Sequence, residues 1–173
     1  HQPGGGAYAD IAELSNRIFA AAHLTGIGLT HLPVLYTYGA AGQQPLAAGQ
    51  LRFGNTVDRF AALLEATRAA ARALPTDTRV GIAPHSLRAV SKPSFANALP
   101  DSGPIHMHLA EQQAEVDEIA AAYGARPVEW ALDNLPINDR WCLIHCTQMQ
   151  PHETTRLAAT GAVAGLCPIT ESS

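Results

Sequence analysis

Five short apolar runs recur along the chain, and each is followed by a segment with helical spacing. The runs are IGLTHLPVLY (27–36), TRVGIAP from Thr78, PIHMHLA from Pro104, RWCLIHC from Arg140 and AVAGLCP from Ala162. Each is apolar on both faces, as strands buried between two layers must be, so the pattern predicts a parallel sheet covered by helices. The helical segments fit that reading. From Asp10, Ile11, Leu14, Ile18 and Ala22 fall on one face and Gly26 supplies a stop; VDRFAALLEATRAAARAL sets Phe60, Leu63, Leu64 and Leu74 on one side. EQQAEVDEIAAAYG, PVEWALDN and PHETTRLAATG continue the rhythm.

Polar residues gather where the runs end: Tyr36, His85, His106 with His108, His145, and Thr170 just past Cys167. In a (β/α)8 barrel the active site is built from several strands at their carboxyl ends. An open doubly wound sheet also binds ligands at that edge, often with a glycine-rich phosphate turn after its first strand, and no such turn occurs here. The barrel is favoured. At 173 residues the chain is short of the ~250 typical for eight strands, and it starts without methionine. The expectation is therefore an α/β fold, a partial (β/α)8 barrel of the metal-dependent hydrolase type with about five strands. Residues 1–173 would form one incomplete barrel domain, lacking its first strands and its last. Gly4 to Gly6 would be a loop over the barrel mouth or a flexible start.

Composition narrows the function. Lysine plus arginine number 11 against 15 acidic residues, a formal charge of -4, so no basic patch points to nucleic acid. No run approaches a membrane span. The three cysteines, Cys142, Cys146 and Cys167, are odd in number and lack C-x-x-C spacing, which argues against a disulfide framework and predicts a reducing cytoplasm. A small-molecule partner fits best.

His106 and His108 lie two apart on a strand and share a face, the barrel interior. Glu111 follows where the chain turns into a helix. A hydrolytic zinc needs neutral imidazole ligands and a base to move a proton from water to the leaving group. His108 with Glu111 meets both needs; a hydrogen-bonded core histidine, with Glu111 as a helix cap, accounts for the spacing equally well. His145 ends the next strand and suits proton handling or polarisation. Cys142 and Cys146 cannot join it on one face and read as small buried residues. His85 and Arg88 sit in the turn after a strand, where arginine can grip a carboxylate through two parallel hydrogen bonds or pair with an acidic neighbour. No G-x-S-x-G elbow or Cys–His signature supports a side-chain nucleophile.

PHSLRAV, PIHMHLAEQ, RWCLIHCTQ and GAVAGLCPITES, in this order and spacing, resemble the formimidoylglutamate deiminases of the amidohydrolase superfamily. The resemblance implies zinc-dependent hydrolysis of N-formimino-L-glutamate to N-formyl-L-glutamate and ammonia, a step of histidine degradation, and a homodimer in full length. It makes His108 a zinc ligand and Glu111 the proton shuttle during attack of activated water on the formimino carbon. His145 would sit beside that water, while His85 and Arg88 would hold the glutamate part of a substrate bearing carboxylates. The family's H-x-H pair on the first strand and its aspartate after the eighth have no counterpart here, so His108 is one ligand of four and should not hold metal tightly alone. Gln148 stands where many relatives have a histidine. Two alternatives remain open: a superfamily deaminase acting on a heterocyclic amine, and a non-catalytic truncated barrel.

Overall fold

Among the described residues every pairing between named strands is parallel, and the strands follow one another across the sheet in sequence order. The computed structural model describes residue 2 and residues 4–172. The first apolar run forms β1 (Leu29–His31) and β2 (Val34–Leu35), after helix α1 (Glu13–Thr25). Helix α2 (Val57–Ala71) leads to β3 (Thr78–Val80) and β4 (Ala83–Pro84), the second run. Both runs are broken midway. Pro33 has no N–H for a ladder, and Gly81 passes so close to the next strand that a Cβ on it would lie 2.1 Å from the Pro104 carbonyl oxygen.

After the short helix α3 (Lys92–Ala98) come β5 (Ile105–Leu109), α4 (Gln113–Tyr123), α5 (Pro127–Asn134), β6 (Trp141–His145), α6 (Pro151–Ala158), β7 (Val163–Gly165) and the single turn α7 (Pro168–Glu171). Hydrogen bonds from Ile82 N–H to the Pro104 carbonyl and from His106 N–H to the Ile82 carbonyl, each 3.0 Å, join β3–β4 to β5. The five runs thus make five successive strand positions of one parallel sheet with helices outside it, the partial α/β barrel that the sequence predicts.

Burial alternates along β5 and β6. Ile105, Met107 and Leu109, with Trp141 and Leu143 beside them, are buried against the helices, where Phe60, Phe95, Ile119 and Val128 complete the core. The alternate positions His106, His108, Cys142 and Ile144 are only half-buried. They face the barrel interior, and Cys142 is accordingly not a fully buried residue as expected; Cys146 is, with burial pushing its thiol up to about 12.

Helix α1 forms as predicted, but it turns the other way. Ala12, Ser15 and Phe19 are buried, whereas Ile11, Leu14 and Ile18 are exposed. Ser15 Oγ meets His31 Nε2 at 2.9 Å and Thr67 Oγ1 at 3.2 Å, so a polar contact fixes the inner face. The outward residues line a cavity of about 520 Å³ that also borders Pro33, Tyr36 and His85. Leu74 lies beyond the end of α2, which stops at Ala71.

Among the described residues no strand pairs with the outer edge of β1–β2 or of β7. Both edges carry apolar side chains: Val34 at one, and Val163, 56% exposed, with Leu166 at the other. Unpaired edges with apolar surface template association. The isolated chain is expected to elute from size exclusion, with light scattering, as mixed oligomers, and Val163→Lys is expected to shift it toward monomer. A monodisperse monomer for the parent chain would count against this reading of the edges.

Candidate active site

A row of rings crosses four neighbouring strand ends. Tyr36 follows β2 and lies edge-on to His85, which follows β4, at 4.6 Å between centroids. His85 is 5.0 Å from His108, and His108 is stacked on His145 at 5.3 Å. The residues expected from the sequence at separate strand ends are therefore one assembly.

The backbone around these rings is held in uncommon conformations. Ala110 (φ 53°), His145 (φ 78°) and Cys146 (φ 55°) adopt left-handed geometry without being glycine. Such residues cost of order 1–3 kcal/mol each and persist only where their surroundings fix them. The fixing groups are visible. Buried Glu115 accepts the Ala110 and Glu111 N–H groups at 3.1 and 2.9 Å, while Cys146 and Gln148 N–H groups bond the Leu109 and Ala110 carbonyls at 2.9 Å. One turn further along, fully buried Glu153 accepts the Gln150 N–H and pairs with Arg126 at 3.1 Å. Gln148 takes part through its backbone, its carbonyl also receiving the Arg126 guanidinium.

Glu111 does not cap α4. Its side chain instead places Oε2 3.4 Å from His145 Nε2, and Glu115 satisfies the backbone of the turn. On the other side of the same ring, His145 Nδ1 lies 3.2 Å from Glu171 Oε1. A carboxylate flanks each nitrogen of one histidine.

His108 is oriented by its neighbour. The His85 carbonyl accepts both the His108 backbone N–H at 3.0 Å and its Nδ1 at 3.2 Å. A carbonyl only accepts, so Nδ1 carries a proton; in the neutral ring Nε2 then keeps its lone pair, the state a divalent metal requires. The residues present thus fit one imidazole ligand of a metal site, which needs three or four protein ligands in all. His106 stands two residues earlier on the same strand face, and burial lowers its pKa; among the described residues no ring pair includes it.

Arg88 sits in the turn from β4 to α3. The Ala89 carbonyl anchors this turn by accepting the Thr37 and Tyr38 N–H groups at 2.9 and 3.0 Å. Among the described residues no carboxylate pairs with Arg88, and its Nε is buried without a hydrogen-bond partner. An unsatisfied buried donor of this kind costs about 1–3 kcal/mol, which an anionic ligand would return. His85 beside it is neutral at pH 7. Burial first, then the charges of His108 and Arg88, lower its pKa to about 4.

Sequence reasoning placed Thr170 at the last strand end and missed Glu171. The Thr170 hydroxyl bonds the Cys167 carbonyl, whereas Glu171 enters the site. Cys167, His145 and Glu171 also form a cluster whose donor atoms lie within 4.8 Å of one another. The only sequence signal was Pro168, which starts a helical turn and brings the residue four after Cys167 back over the strand end.

No protein-family model matches the chain. Over 176 aligned residues, covering all of it, the chain is 46% identical to formimidoylglutamate deiminase from Pseudomonas aeruginosa and spans 38% of that protein. The crystal structure of an amidohydrolase from Brucella melitensis matches 99% of the chain and 39% of its own length, with TM-score 0.95 and 45% identity. A zinc-bound adenosine deaminase from Xanthomonas campestris matches 92% of the chain and 35% of its own at TM-score 0.70; at 22% identity it shares the fold alone.

The depressed His85 pKa has a stability consequence. Unfolded, this histidine takes up a proton near its ordinary value of 6.5; folded, it resists until about 4. Between those values the unfolded state binds more protons, so stability falls as pH is lowered through that window. Urea midpoints at pH 7 and pH 5 are expected to differ in this direction, and His85→Asn is expected to flatten the difference. An unchanged slope in the variant would assign the pH dependence to other groups.

Proposed function

From the likeness of the chain to formimidoylglutamate deiminase and to an amidohydrolase structure, we propose that the strand-end assembly is the catalytic part of a metal-dependent hydrolase that deiminates N-formimino-L-glutamate. The observation that carries the reading is the pairing of two features in one barrel mouth. The His108, Glu111 and His145 group can manage water and protons, and Arg88 has no carboxylate partner among the described residues and a buried Nε without a hydrogen bond. A carboxylate-bearing substrate satisfies the second while presenting its formimino carbon to the first.

In this reading Arg88 takes a substrate carboxylate, and neutral His85 offers a hydrogen bond without adding a second charge. Glu111 takes one proton from water as its oxygen adds to the formimino carbon and delivers it to the imino nitrogen; it then takes the second, from the hydroxyl of the tetrahedral adduct, and delivers it as the C–N bond breaks, so that the carbonyl forms and the nitrogen leaves as ammonia. His145, 3.4 Å from Glu111, presents a ring nitrogen that can take up and return a proton at the reacting centre. A divalent metal, zinc by the chemistry of the donor set, would be held in part by His108 and would supply Lewis-acid polarisation of water when bound. We place the enzyme in the cytoplasm on the three free thiols. A ring-amine substrate is less well served, because it leaves Arg88 unpaired.

Kinetics and metal content test the two halves of this reading. In the protein carrying a complete barrel, Glu111→Gln is expected to lower kcat on the order of 10²–10⁴-fold with KM little changed, and Arg88→Ala to raise KM roughly 10- to 100-fold. Intact turnover in Arg88→Ala would remove the carboxylate assignment. In the isolated 173-residue chain, elemental analysis after desalting is expected to find zinc well below one per chain, because one imidazole is a weak site. Retention of stoichiometric zinc would mean that other residues of the chain complete a site.

A further inference from the structure

His145 lies between two carboxylates that want the same proton. Carboxylates only accept hydrogen bonds, and a neutral imidazole has one N–H to give. Glu171 Oε1 lies 3.2 Å from Nδ1, and Glu111 Oε2 lies 3.4 Å from Nε2. The two acids are not equivalent. Glu171 is the less exposed, and its Oε1 is pinned by the Cys167 N–H at 2.6 Å, with both groups on the turn that Pro168 starts. Glu111 is a quarter exposed and makes no other side-chain bond among the described residues.

We propose that Glu171 is a positioning residue that holds the proton of neutral His145 on Nδ1, so that the Nε2 lone pair faces Glu111 and the reacting centre. His145 can then accept a proton at Nε2 and give it back while its other nitrogen stays tied. In the opposite tautomer Nε2 would already donate to Glu111, and the ring could accept nothing there. The left-handed backbone of His145 and Cys146 serves the same end, since it lifts the ring off the helix-facing side of β6 and sets it between the two acids. The catalytic meaning of this arrangement rests on the deiminase reading; the tautomer itself does not.

The test therefore reads the proton rather than turnover. Solid-state ¹⁵N spectra of sedimented, [¹⁵N]histidine-labelled chain tolerate self-association, and His145 is assigned by its loss in His145→Asn. At a pH where the ring is neutral, the parent chain is expected to show Nδ1 protonated and Nε2 bare. In Glu171→Leu the proton is expected to move to Nε2, where Glu111 is the remaining acceptor. If far-UV circular dichroism shows that this variant does not fold, Glu171→Gln carries the comparison. Its neutral oxygen competes less well with ionised Glu111, so the proton population shifts toward Nε2. An Nε2–H tautomer in the parent chain, or a tautomer unmoved by substitution of Glu171, overturns the proposal, and neither result bears on which substrate the complete barrel hydrolyses.

Discussion

The parallel register of neighbouring strands is the constraint on which the site depends. In a parallel sheet all carboxyl ends lie on one edge, so residues far apart in sequence meet there without any loop having to reach. Leu109 opposite His145 and His108 opposite Ile144 set the last two rings of the row on adjacent strands. A slip of one residue would turn His108 away from the interior and toward the helices. The His85 carbonyl shows how tightly register and chemistry are joined, because the same oxygen that pairs β4 with β5 also fixes the His108 ring.

The turns beyond the strand ends cost energy and are maintained by buried acids. Three non-glycine residues in left-handed geometry sit at or immediately after the ends of β5 and β6. Glu115 and Glu153, both buried, accept backbone N–H groups in the two loops beyond these strands. Their bonds go to backbone N–H groups and, for Glu153, to Arg126. They hold the turns that let Glu111 lean over the barrel mouth and His145 stack on His108.

Much of this was legible in the sequence. The five strands could be read from apolar runs bounded by turns, and His85, His108, Glu111 and His145 could be read from their places at strand ends. Spacing left open whether Glu111 caps α4, and the geometry shows that it does not; His108 is half-buried and bonds the His85 carbonyl through Nδ1. Other features were hidden for physical reasons. An acid that caps a backbone turn looks the same in sequence as one on the surface, so Glu115 and Glu153 gave no signal, and Glu171 gave only the indirect one of Pro168. The apolar stripe of α1 predicted an inward face of Ile11, Leu14 and Ile18. The buried face instead carries Ser15, hydrogen-bonded to Thr67, a pairing that hydropathy has no means of weighing.

The proposed pairing of a hydrolytic centre with a carboxylate grip in one barrel mouth predicts that the substrate is chosen by charge as well as by chemistry. Ammonia release by the protein with a complete barrel, measured side by side on N-formimino-L-glutamate and on adenosine, tests this most directly. Turnover of the formimino acid and none of the ring amine is the predicted result. Preferential deamination of adenosine would contradict it.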